Sequence, residues 1–318
     1  MPTNDQIFKI VLRHALDIPR LRVRLEKAIP GNIHALFLSR VAFRVLKKKH
    51  NSSTAYKTLI DDFSKLWPKK LRVGQWTFIA KMYLFLVLSG TAAMRLYLPR
   101  NDDSSFRTPP LDEQTSQIVR AIGATWGVGV LTWMCKTAGP WPFLSFTMQS
   151  WTLMTARYVL DFLGGANLGS FSEFSTQISE TIRFPALMQN SLTVTVWWLI
   201  LVPAFMFFTR NDVKKRKAFM TWNFSPFLIN VHLLNLPLAA IAHLLKPRIL
   251  TLHDMWIALV IGLSYLLFYL FILDPLGLHF YIVLSPRTKW STLVYTIILG
   301  SIYGFYRAWN HALLEDDE

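Results

Sequence analysis

The chain has 318 residues, 52% of them hydrophobic and only 17% charged, against about a quarter charged in a soluble protein of this length. The formal charge of +15 is uneven, because residues 1–76 hold sixteen Lys and Arg against five Asp and Glu while the rest is nearly neutral. A single cysteine, Cys135, excludes a disulfide framework and a Cys-rich metal site, and reads as an inert buried thiol.

Residues 1–76 read as a basic cytosolic segment. The first twenty residues have no clean apolar core of a secretory signal, and Ile7–Arg13 has the pattern of an amphipathic surface helix. Anionic lipid headgroups are the expected partner of the lysines, with no role for nucleic acid. A membrane domain follows over 77–309. A bilayer core of about 30 Å needs about 20 helical residues. Windows of that kind predict spans at Phe78–Leu98, Ile118–Cys135, Trp141–Leu163, Leu192–Phe208 and Trp222–Leu245. A sixth runs from Met255 to Leu284 with a break at Asp274-Pro275, and a seventh covers Trp290–Trp309. Residues 310–318 form an acidic tail.

The expected fold class is therefore all-α, a polytopic bundle of about seven transmembrane helices. Loop 99–117 has two Arg against four acids, whereas 209–221 carries Arg210, Lys214, Lys215, Arg216 and Lys217 against Asp212. The positive-inside rule then puts residues 1–76, the basic loop, Arg287 and Lys289 in the cytosol, and the tail Glu315–Glu318 on the far side.

Polar groups inside such helices are costly and point to function. His232 lies about ten residues, roughly 15 Å, into the fifth span, with Asn235 on nearly the same face and Asn230 elsewhere. Ser145 and Thr147 open the third span, and either hydroxyl is a potential nucleophile if a base reaches it. Both also suit a structural role, bonded back to the helix carbonyls. Asp274 marks the break in the sixth span, followed by His279 and Tyr281. The histidines lack metal-ligand spacing, and no phosphate loop or nucleophile elbow occurs, so no cofactor and no metal is expected.

Three of these clusters resemble motifs of the androgen-induced-gene family, which includes the androgen-dependent regulators of tissue-factor-pathway inhibitor. Trp141-Pro-Phe-Leu-Ser145-Phe146 is similar to the element that carries that family's nucleophile, although the family has Thr where this chain has Ser145. His232 and Pro237 share the family's His-to-Pro spacing, and Gly277 and Tyr281 its Gly-to-Tyr spacing. The resemblance covers roughly residues 118–309. It implies a six-span core, here preceded by one further span, in an endomembrane such as the endoplasmic reticulum. It also implies hydrolysis of lipid esters, such as fatty acid esters of hydroxy fatty acids, by a hydroxyl nucleophile and a histidine base. Ser145 and His232 would be the catalytic pair, with Thr147, Asn235 and Asp274 in support. Counted from the predicted span starts, Ser145 and His232 differ in depth by roughly 9 Å. The alternative is a multi-pass protein without catalysis, either a lipid or small-solute transporter or a scaffold.

Overall fold

The architecture comes from a computed structural model, which describes residues 74–98, 109, 111–139, 141–166, 168–275, 278–281, 284–288 and 290–314. The expectations for residues 1–73, Lys289 and the tail Glu315–Glu318 lie outside the described residues. The described chain is helical. Its elements are α1 (Phe78–Tyr97), α2 (Glu113–Ala138), a 3-10 turn (Trp141–Leu144), α3 (Phe146–Gly164) and α4 (Ser170–Thr181). Next comes α5, made of Arg183–Val196, a π turn at Trp197–Leu201, and Val202–Phe208. The short α6 (Val213–Asn223) precedes α7, which is Pro226–Ile229, a π turn at Asn230–Leu234, and Asn235–Leu244. Last are α8 (Leu252–Phe268, ending in a π turn at Tyr269–Leu273) and α9 (Ser291–Leu314).

The helix starts follow capping chemistry. Thr77 caps α1, Asp112 caps α2, Ser145 caps α3 and Asp212 caps α6, each accepting a backbone N–H two or three residues into the first turn. Thr251 and Asp254 form a capping box at α8.

Among the described residues, five helices are long and apolar enough to cross a membrane: Phe78–Tyr97, Glu113–Ala138, Arg183–Phe207, Pro226–Leu244 and Leu252–Leu273. This fits an integral multi-pass membrane protein. The third and seventh expected spans are present as α3 and α9 but are not among those five. The α3 sequence holds Arg157 and Asp161, and both partner inside the bundle. Arg157 Nη2 donates to the Ala242 carbonyl at 2.7 Å, and its Nε lies 3.7 Å from Asp161.

Several boundaries differ from the sequence expectation. α2 extends beyond both ends of Ile118–Cys135, and α5 begins nine residues before Leu192. The stretch between the third and fourth expected spans contains α4 and the first turns of α5, and 209–221, expected as a loop, contains most of α6. Cys135 is exposed on α2 rather than buried. The break at Asp274-Pro275 is where expected, since α8 ends at Leu273.

The two ends of the bundle are tied separately. At one, the Thr77 amide donates to the Pro286 carbonyl at 2.9 Å and Arg287 Nε to the Gly74 carbonyl at 3.0 Å. At the other, the Leu250 amide donates to Asn310 at 2.7 Å and the Arg95 guanidinium lies over the Trp256 ring. The core pair is α3 and α5: residues Arg183–Thr193 are all buried, as are Trp151, Met154 and Tyr158. By contrast α1 is peripheral, with Phe78, Phe85, Leu86 and Leu96 exposed, as expected for side chains that face lipid.

Close approach of α2 to α3 depends on two glycines. A Cβ on Gly123 would lie inside the Tyr158 ring, and one on Gly127 would collide with Thr155. Trp151 uses the same closeness to donate to the Gly127 carbonyl at 3.3 Å. Gly129 has open space around it. Gly123→Leu should therefore lower the thermal unfolding midpoint of the detergent-purified protein by several degrees, as overpacking costs about 1–3 kcal/mol. Gly129→Leu should leave the midpoint unchanged. Equal midpoints for the two variants would show that this contact does not hold α2 to α3.

Candidate active site

The start of α3 sets the first part of the site. The 3-10 turn Trp141–Leu144 delivers the chain to Ser145, whose backbone is extended (φ −84°, ψ 147°) in the usual N-cap geometry. Ser145 Oγ donates to the Pro142 carbonyl at 2.7 Å and accepts from the Met148 amide at 3.3 Å. Its hydroxyl is thus committed to the helix start. Thr147, two residues on and already inside the helix, points differently. Its Oγ1 is 3.3 Å from His232 Nε2. The structure therefore brings His232 to Thr147, where the motif comparison placed the pair at Ser145.

The depth offset of roughly 9 Å remains once the helix boundaries are set, and it is the position of the α3 start within the bundle that closes it. α7 begins at Pro226 rather than Trp222, and α3 begins only at Phe146. His232 is then about 9 Å along its helix, and the α2–α3 connection, with Pro142 and Ser145 buried, dips into the bundle to meet it.

His232 sits within the α7 π turn and is 5% exposed. Its ring stacks on Trp197 with centroids 3.7 Å apart and an interplanar angle of 16°. Trp197 is itself fixed from outside, since its indole donates to Asn223 at 2.8 Å and its ring packs against Phe219 and Trp222 of α6. Trp198 donates to the His232 carbonyl at 2.7 Å. The His232 Nδ1 has no partner in hydrogen-bond geometry among the described residues.

The third part is Tyr281, which follows the broken end of α8. The Thr147 amide donates to the Tyr281 hydroxyl at 3.4 Å. That hydroxyl also lies beside the Phe146 amide and the Ser145 side chain. Tyr269 donates to the Tyr281 carbonyl at 2.9 Å and Tyr295 to the Leu284 carbonyl at 2.8 Å, which pins this segment to α8 and α9.

Asp274 supports the same segment and is engaged away from His232. Both its carboxylate oxygens accept from Arg287, at 2.7 and 2.6 Å, and His279 Nδ1 is 3.3 Å from Oδ1. Burial alone would raise the Asp274 carboxyl, but the bonds from His279 and Arg287 outweigh it and hold it below the usual carboxylate range. Asn235 is fully buried; its Oδ1 accepts from the adjacent Leu236 amide and its Nδ2 has no partner among the described residues. Asn230 accepts from Trp126 at 2.9 Å and belongs to the α2 contact.

A cavity of about 310 Å³ adjoins the Thr147–His232 pair. Thr147, Tyr281 and Trp197 line one part of it, and Met188, Gly262 and Ile302 another. The wall is otherwise almost wholly apolar, and the lining residues Ile200 of α5 and Ile297 of α9 are exposed, marking a gap between these helices. No family model, curated protein or solved structure matches the chain.

Trp197 gives no signal in the sequence that separates it from the other tryptophans. The other missed feature is ionic. Arg183, fully buried, donates to both Glu180 oxygens at 2.9 and 2.6 Å, and Arg248 donates to Asp254 at 2.7 Å twice and to Glu180 at 3.0 Å. Burial would raise the Glu180 carboxyl, yet Arg183, Lys246 and Arg248 together hold it well below its ordinary value. This network closes the bundle end opposite the site.

Breaking the Asp274–Arg287 pair from one side leaves a buried charge without its partner. Arg287→Met should destabilise the protein by about 3 kcal/mol. The double variant Asp274→Asn/Arg287→Met should recover part of that loss. Thermal unfolding in micelles measures both, and strictly additive losses would show that the pair is uncoupled.

Proposed function

We propose that this protein hydrolyses lipid esters within the membrane, with Thr147 as nucleophile and His232 as general base. The observation that carries the reading is the 3.3 Å contact of Thr147 Oγ1 with His232 Nε2, beside an apolar cavity that Thr147 lines. In this reading α3 and α9 cross the membrane with the five apolar helices, giving seven spans. The end that holds Thr147 and the basic α6 faces the cytosol, and the endoplasmic reticulum is the proposed membrane. The resemblance to the androgen-induced-gene family supports the same chemistry, and Thr147 restores its residue type two positions beyond Ser145.

The steps follow from the groups present. Nε2 takes the Thr147 proton as Oγ1 attacks the ester carbonyl carbon. The resulting oxyanion is met by the Tyr281 O–H and by the field of the α3 N-terminus, where the helix dipole favours negative charge. As the ester C–O bond breaks, the imidazolium returns the proton to the leaving alkoxide. Water then attacks the acyl-threonine, with His232 again taking the proton, and the acid and free Thr147 are released. Asp274 has no direct part. It is a positioning residue that holds the Tyr281 segment through Arg287.

Purified protein in lipid nanodiscs, supplied with long-chain esters, tests the reading. Thr147→Ala and His232→Ala should each lower kcat by about 10³-fold or more. Tyr281→Phe should lower it by about 10²-fold through loss of one oxyanion donor. Ser145→Ala should keep near-normal kcat and lose about 1 kcal/mol of stability, as expected for a helix cap. Full activity in Thr147→Ala would remove Thr147 as the nucleophile. Lipid binding without any hydrolysis by the wild type would favour a carrier.

A further inference from the structure

We infer that the ester's acyl part is a chain of medium length, and that Gly262 sets its upper limit. This inference rests on the Thr147 chemistry proposed above. The intermediate of that chemistry leaves the acyl group attached to Thr147, so the acyl chain is the part that must be housed while water attacks. The alcohol must depart, and it needs an open side. The cavity offers both arrangements. Its rim at Ile200 and Ile297 is exposed, and its inner part is walled by the buried residues Met188, Leu263 and Ile302.

Gly262 of α8 is decisive at the inner part. A Cβ built there meets only the Ile302 Cδ1 and Met188 Cε methyls, each at 4.0 Å, which is ordinary contact distance. The glycine is therefore not required by helix packing, unlike Gly123 and Gly127, whose Cβ atoms would collide. It sits at an ordinary helical position where most residues would stabilise the helix more. What its missing side chain leaves is room at the cavity wall. The cavity's 310 Å³ is about twice an apolar cavity of about 150 Å³ that binds benzene, and so accommodates on the order of ten carbons. The almost wholly apolar wall fits a hydrocarbon chain.

The experiment uses the full chain in nanodiscs with p-nitrophenyl esters from butyrate to palmitate. Wild type should show a maximum of kcat/KM near decanoate. Gly262→Leu fills the inner end and should lower decanoate hydrolysis at least tenfold while hexanoate hydrolysis is kept. Met188→Ala should move the maximum to longer chains. Gly300→Leu, at a position with open space outside the cavity lining, should leave the profile as in wild type and controls for a general effect of an added side chain. Thr147-dependent hydrolysis with a length profile that Gly262→Leu leaves unchanged overturns the inference and spares the catalytic reading. Absence of Thr147-dependent hydrolysis at every length overturns the catalytic reading instead. Displacement of a fluorescent fatty acid by the saturated acids of the same series then decides the chain limit. Selective loss of decanoate affinity in Gly262→Leu supports it, and unchanged affinities overturn it.

Discussion

A helix in an apolar setting must satisfy its backbone within itself, because there is no water to accept a broken hydrogen bond. Three helices of this bundle relax that rule locally, each through a π turn, and all three turns border the same site. The α5 turn begins with Trp197, the α7 turn contains His232, and the α8 turn begins with Tyr269. A π turn inserts one residue and rotates the side chains beyond it relative to those before. Here the rotation stacks Trp197 on His232 and lets Tyr269 hold the Tyr281 carbonyl. The loosened backbone is repaired by side chains, as where the Trp198 indole takes up the His232 carbonyl. Single π turns concentrate at functional sites, and three around one Thr–His pair are hard to explain by packing alone.

The cost of the site is offset at the two ends of the bundle. Buried ion pairs are costly to assemble and far costlier to leave half-made, so each arginine here is surrounded by acceptors. Arg183, Arg248, Glu180 and Asp254 tie α4, α5 and α8 together at one end. Asp274 and Arg287 fasten the broken end of α8 at the other, beside Gly74. Between them the cavity remains open without the helices collapsing on it. Trp197, gripped by α6 from outside, does the same locally by keeping His232 from turning away.

Hydropathy made most of the bundle legible. All seven expected spans have a helix, and the break at Asp274-Pro275 was readable because proline cannot continue the hydrogen-bond ladder. The boundaries were less so. α5 starts early because Arg183, Gln189 and Asn190 are polar residues buried by partners distant in sequence, which a hydropathy window cannot register. The ionic network was missed for the same reason, since Arg183 and Arg248 meet only through folding. Ser145 and Thr147 were both found, but their roles depended on where α3 begins. A serine at the first extended position before a helix is spent on capping, and that position is decided by the 3-10 turn before it. Asp274 was found as well, yet its partner Arg287 had been read only as a marker of orientation.

The start of α3 is where the capping serine, the Tyr281 segment and the Thr147–His232 pair meet. A helix N-terminus carries unpaired N–H groups and a partial positive charge, so placing one inside an apolar bundle is unfavourable unless something there uses it. Ser145 takes up the Met148 amide and Tyr281 the Thr147 amide. In the proposed reaction an oxyanion forms next to these same groups, and only for as long as the tetrahedral intermediate exists. The sunken terminus is then a positive field held ready by the Asp274–Arg287 tether and the Tyr281 segment, and it requires no rearrangement as charge develops. An apolar cavity strengthens that field by excluding water. On this view the late start of α3, one of the features that make it a poor membrane span, is what lets it present Thr147 to a buried histidine.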